Sequence, residues 1–116
     1  MLDDIRGLLE PEFDVVGAVG DGQSLISAAD TFQPDVIVTD ISMPRMNGIE
    51  AARLIIQKKP TSRIVLLTAY KDSALLEQGL SVGALGYVLK LKADEELSLA
   101  IHSALEDKRF VSPGVS

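Results

Sequence analysis

Cysteine and tryptophan are absent from the 116 residues, and aromatic side chains make up only 4% of them. The missing thiols exclude a disulfide scaffold and thiolate chemistry, and make the cytoplasm the expected compartment. No apolar stretch approaches the roughly 20 residues of a membrane span, and Met1-Leu2-Asp3-Asp4 lacks the basic and apolar regions of a signal peptide. No membrane partner is expected. Basic clusters are also lacking: Lys and Arg number 11 against 17 Asp and Glu, for a net charge of −6. Such a surface repels a phosphate backbone, so direct nucleic-acid binding by these residues is not expected. What remains is a 47% hydrophobic share with few aromatics. A core of Val, Ile, Leu and Ala favours β-branched strands under Ala- and Leu-rich helices, and the length suits one domain.

The apolar pattern divides the chain at its prolines and glycines. Leu2, Ile5, Leu8 and Leu9 recur at helical spacing before Pro11. Phe13 to Val19 reads as a strand, Asp21-Gly22 as a turn, and Leu25, Ile26, Ala29 and Phe32 as a helix stripe ending before Pro34. Val36 to Thr39 is predicted as a strand, and the helix carrying Ile49, Ala52, Leu54, Ile55 and Ile56 stops at Pro60. Arg63 to Thr68 is the next strand. Ser73 is the expected N-cap of a helix closed by Gly83, and Gly86 to Leu89 forms another strand. Asp94 is expected to cap a last helix with Leu97, Ala100, Ile101, Ala104 and Leu105 on its buried face. Residues 110–116, with Ser112-Pro113-Gly114, show no periodicity and read as a linker stub after a 1–109 domain. Strands alternating with helices predict a parallel α/β sheet.

In such sheets ligands bind at the carboxyl ends of the strands. Three predicted strands end there in polar residues: Asp40, Thr68 and, after Leu89, Lys90. An acid, a hydroxyl and an ammonium on one rim suit a phosphoryl group, whose transfer needs an in-line nucleophile and positive charge on the equatorial oxygens. Taken singly, each has a structural explanation: Asp40 as a turn acid, Thr68 as strand filler, Lys90 as a solvated charge and Tyr87 as core. Gly22, Gly48 and Gly83 are turn and cap residues. His102 belongs on the rim of the last helix, and Met43 and Met46 in loop packing.

Asp40 with Met43-Pro44 and Gly48, Thr68-Ala69, and Tyr87 ahead of Lys90 together resemble the receiver domain of two-component response regulators. The branch with a LuxR-type helix-turn-helix output domain is the nearest, through Phe13-Asp14-Val15-Val16-Gly17, Gly83-Ala84-Leu85-Gly86-Tyr87 and Phe110-Val111-Ser112-Pro113. The resemblance implies a flavodoxin-like doubly wound fold. It also implies that Asp40 accepts a phosphoryl group from a histidine kinase, that Lys90 pairs with the phosphoryl oxygens, and that Thr68 and Tyr87 switch a transcriptional output. The output domain would be the chain's own or a neighbour's, with a homodimer left open. The chemistry would be self-phosphorylation and dephosphorylation, not enzymatic turnover.

The resemblance further implies Mg²⁺ held by Asp40, a loop carbonyl matching Ser42, and two adjacent acids closing the first strand. That strand and those acids would fall before Met1, and Asp3-Asp4 reads as part of the opening helix. With one carboxylate and one carbonyl the Mg²⁺ site is incomplete, and slow or absent phosphorylation is expected. The first strand would lie between the segments Phe13–Val19 and Val36–Thr39. Its loss removes a few buried aliphatics worth about 1.5–3 kcal/mol each, against the roughly 5–15 kcal/mol of a domain. A marginal monomer is therefore expected, with a truncated start, a rearranged sheet or a gap-filling oligomer as explanations. The competing function is a phosphorylation-independent interaction module. A haloacid-dehalogenase-like phosphatase would need a second Asp where Ser42 stands, and a flavodoxin-like cofactor protein would need a hydroxyl-rich phosphate loop that is not visible.

Overall fold

β-branched runs form the centre of the fold, and Ala- and Leu-rich helices cover them. A computed structural model describes residues 7–15, 17, 19–42, 46–69 and 72–113. Along the chain come α1 (Gly22–Phe32), β1 (Ile37–Asp40), α2 (Gly48–Lys58), β2 (Ile64–Thr68), α3 (Ser73–Ser81) and β3 (Gly86–Leu89). A 3₁₀ turn (Lys90–Lys92), α4 (Ala93–Leu105) and β4 (Phe110–Val111) follow. The strands form one parallel sheet in the order β1-β2-β3-β4, as expected of helices crossing between strands.

Period-two alternation sends β2 to both faces. Ile64 and Leu66 join Ile37, Ile49, Ala52, Ile55 and Tyr87 on one side, with α1 to α3 packed there. Val65 and Leu67 join Val88 and the α4 residues Leu97, Ala100, Ile101 and Ala104 on the other. All five β2 residues are buried, which is why residues 64–67 run apolar without a break before Thr68.

The caps explain where the helices begin. Asp21 accepts from Ser24 N at 2.9 Å and Asn47 from Glu50 N at 2.8 Å. For α3 the cap is Asp72, which accepts from Ala74 and Leu75, in place of the expected Ser73. Its carboxylate reaches two orphan amides where a serine hydroxyl one residue later would lie inside the helix. For α4 the expected cap Asp94 sits within the first turn, beside Glu95 and Glu96, because Lys90–Lys92 already winds as a 3₁₀ turn. Gly83 does close α3 with a left-handed φ of 104°.

Two further expectations are corrected. Among the described residues of 13–19, none is in a strand. Instead Phe13 N donates to Leu9 O at 2.7 Å, and the Phe13 ring packs on His102 with centroids 5.3 Å apart. A strand needs a ladder partner, and β1 pairs only with β2 among the described residues. Conversely Phe110–Val111, expected as linker, is a strand beside Gly86 and Tyr87. Leu2, Ile5, Asp3, Asp4, Val16, Ala18, Met43, Pro44 and residues 114–116, on which other expectations fall, lie outside the described residues.

Candidate phosphoryl site

The parallel register brings three strand ends to one rim. Asp40 ends β1 beside Leu67, and Thr68 ends β2 beside Leu89, which precedes Lys90. Asp40 and Lys90 thus flank β2 from opposite sides, and the long lysine stem bridges them. Lys90 Nζ stands 3.4 Å from Asp40 Oδ1, with the two side chains 27% and 17% exposed. Ser42 is exposed on the loop two residues beyond Asp40.

The ion pair does not satisfy the carboxylate. Asp40 Oδ1 is buried and has no aligned hydrogen bond, so the ammonium contact is one of charge and not of hydrogen-bond geometry. A buried acceptor left this way costs about 1–3 kcal/mol. Gly48 holds the other side of Asp40. A Cβ there would lie 2.0 Å from the Asp40 carbonyl oxygen, while Gly48 N donates to Ile41 O at 2.7 Å. Only glycine lets α2 begin against this strand end, which is a role that turn chemistry alone had not revealed.

Thr68 is 2% exposed and Tyr87 is fully buried. The Tyr87 ring lies under α3, where a Cβ on Gly79 would stand 3.7 Å from its Cδ2. Burial pushes the Tyr87 hydroxyl above its ordinary pKa; the Thr68 side chain opposes the shift, and the Asp72 charge adds to it. The Thr68 influence is one of proximity, because Tyr87 Oη makes no aligned hydrogen bond. Asp72 was not singled out by sequence reasoning, because its place at the start of α3 near Tyr87 follows from the fold and not from a spacing. His102 is exposed as expected, and its Nε2 lies 2.7 Å from Glu12 Oε2.

A carboxylate facing an ammonium at a sheet's carboxyl edge can act as a nucleophile toward phosphorus while the ammonium takes up oxygen charge. Comparison with known proteins identifies the family to which this fold belongs. The family described as the response regulator receiver domain matches residues 1–102. The transcriptional regulatory protein DegU of Brevibacillus brevis is 34% identical over 93% of this chain and 46% of its own length. The chain thus spans about half the length of the curated relatives it matches. A LuxR-family response regulator from Aurantimonas sp. SI85-9A1 superposes with a TM-score of 0.93 at 32% identity, covering 97% of this chain and 82% of that one. The isolated receiver domain of RcsB from Salmonella enterica serovar Typhimurium, solved with the phosphomimetic BeF3−, gives 0.87 at 31% identity, over 98% and 86%.

Receiver domains typically bind Mg²⁺. Among the described residues, however, no group of three His, Cys, Asp or Glu side chains could hold a metal ion. Asp40 offers one carboxylate, and its Oδ1 faces Lys90. Mg²⁺ needs near-octahedral oxygen ligation and gives up water reluctantly, so the described residues do not fit it. The sheet, the rim of Asp40, Thr68 and Lys90, and the match over residues 1–102 lead to one conclusion: the chain belongs to the response regulator receiver domain family.

Proposed function

We propose that Asp40 accepts a phosphoryl group from the phosphohistidine of a histidine kinase, and that Thr68 and Tyr87 pass the change to an output that regulates transcription. The observation that carries this reading is the Lys90 ammonium 3.4 Å from a buried Asp40 oxygen lacking a hydrogen bond. In the transfer the imidazole N–P bond breaks, an O–P bond forms on the Asp40 carboxylate, and the imidazole leaves. Lys90 takes up charge on the equatorial oxygens. The acyl phosphate carries about two negative charges where the carboxylate carried one, and brings new acceptors next to Thr68. The Thr68 hydroxyl then turns toward the phosphoryl, and the Tyr87 ring, already inward, fills the space behind it. Response regulators work with histidine kinases and carry output domains; here the output domain is the protein's own or a neighbour's, with homodimers as a further arrangement.

The test is intact mass after incubation with acetyl phosphate and Mg²⁺. The expected result is a slow gain of one phosphoryl group, absent from Asp40→Asn, because one carboxylate makes a poor Mg²⁺ site. Rapid stoichiometric phosphorylation would refute the incomplete metal site. No gain after long incubation would sink the phosphoacceptor reading. It would favour the second reading, a phosphorylation-independent interaction module, which draws support from the lack of a metal-holding cluster among the described residues.

A further inference from the structure

The parallel ladder between β3 and β4 ends in an unusual way. Phe110 N donates to Leu85 O at 2.8 Å and Ser112 N to Tyr87 O at 2.9 Å, so the next step should pair the Leu89 amide with the main-chain carbonyl of residue 112. The Leu89 amide instead donates to the Ser112 hydroxyl oxygen at 3.0 Å. That hydroxyl in turn donates to Glu96 in the first turns of α4. Ser112 is fully buried. Its side chain therefore accepts one bond and donates one, with water excluded.

Leu89 is the last residue of β3 and also the N-cap of the 3₁₀ turn, and no side chain caps that turn. The Ser112 hydroxyl thus fixes the Val88–Leu89 peptide, one residue before Lys90. We propose that Ser112, oriented by Glu96, is a positioning residue for Lys90. This rests on reading Asp40 and Lys90 as the phosphoryl-accepting pair. Glu96 in α4, Ser112 just past β4 and the Leu89 amide at the end of β3 form one hydrogen-bonded chain, and Lys90, the next residue along, reaches Asp40 on the rim. The hydroxyl aims the ammonium without touching the phosphoryl group. A shift of the last strand would redirect the charge that stabilises transfer.

The experiment compares the intact chain with Ser112→Ala, Ser112→Thr and Glu96→Ala. It uses the Leu89 amide and Lys90 side-chain NMR resonances together with acetyl phosphate labelling in Mg²⁺. Ser112→Ala is expected to move the Leu89 amide and bring Lys90 to free-lysine shifts, and to slow labelling about tenfold, the rate equivalent of one hydrogen bond. Ser112→Thr restores both by returning the hydroxyl. Glu96→Ala, which keeps the hydroxyl but frees its rotation, gives the same Lys90 change at smaller amplitude and keeps the proposal testable if Ser112→Ala does not fold. Ile55→Val loosens the core on the opposite face and should leave the Lys90 resonances in place, which separates positioning from general stability. Lys90 resonances unchanged in Ser112→Ala, or in Glu96→Ala where the first variant does not fold, would overturn the proposal. If the parent chain takes no phosphoryl group, the phosphoacceptor reading falls, while the Lys90 resonances still decide this one.

Discussion

The two ends of the sheet treat polar groups in opposite ways. Where β1 and β2 begin, charges are paired and wet: Arg63 Nε lies 3.1 Å from Asp107 Oδ1, and Lys58 Nζ lies 3.1 Å from Asp30 Oδ1. Lys59 Nζ donates to Gln33 Oε1 at 2.7 Å beside a cavity of about 40 Å³, which is room for water and too little for a metabolite. Where the strands end, Asp40 Oδ1 and Tyr87 Oη are buried without hydrogen bonds. Native structures leave few such atoms, and both found here among the described residues flank one rim. The starting end is built for solubility. The finishing end leaves these two polar groups unsatisfied, which lowers stability.

The strongest way to break this contrast is Gly48→Ala. Its Cβ would meet the Asp40 carbonyl oxygen at 2.0 Å, so urea unfolding should show a loss of roughly 3 kcal/mol. A loss below about 1 kcal/mol would mean that α2 does not rest on the end of β1. Asp40→Ala should act in the opposite direction. It removes the unsatisfied oxygen and leaves Lys90 able to reach water, raising stability by about 1 kcal/mol while abolishing phosphoryl uptake. A clear destabilisation would show that the ion pair outweighs the missing hydrogen bond.

Tyr87→Phe is a finer probe, expected to be neutral or to add about 0.5 kcal/mol. The same hydroxyl gives a pH signature. Its folded pKa is raised above the ordinary tyrosine value of 10.0, so its contribution is complete below pH 10.0 and is lost as pH rises through the raised value. Ultraviolet titration in a Tyr70→Phe background should place the Tyr87 ionisation above 10.0, and the alkaline stability loss should vanish in Tyr87→Phe. Smallest of all is Arg63→Ala at the wet end, expected to cost less than about 0.5 kcal/mol and nothing at high salt. A cost equal to that of the rim variants would erase the distinction between the two ends.

Much of this was legible in the residues. Ile64 to Leu67 and Tyr87 to Leu89 are apolar because both faces of the sheet are covered, and their polar terminal neighbours stood out against that background. Asp40, Thr68 and Lys90 could therefore be placed on one rim before any geometry was known. Phe13 to Val19 misled because an apolar run records a preference for burial and not a ladder partner; Phe13 is half-buried and packs on the α4 side of the sheet. Phe110–Val111 misled in the other direction. Two residues carry no period, and their strand exists through the edge that β3 offers. Ser73 lay one residue and Asp94 two residues past the observed N-caps, Asp72 and Lys92, since several capping types cluster there and only the backbone path selects one.

By itself the amino-acid sequence determined the alternation of strands and helices and the polar residues at the strand ends. Those follow from local propensity and from which side chains tolerate burial. Tertiary structure alone decided how far the parts stand from each other. The 3.4 Å separation of Asp40 and Lys90, the dependence of α2 on a glycine at the Asp40 carbonyl, and the Ser112 hydroxyl in place of a main-chain carbonyl all depend on register between distant segments. Register is set by the packing of the whole sheet, because each strand finds its backbone partners only in other strands.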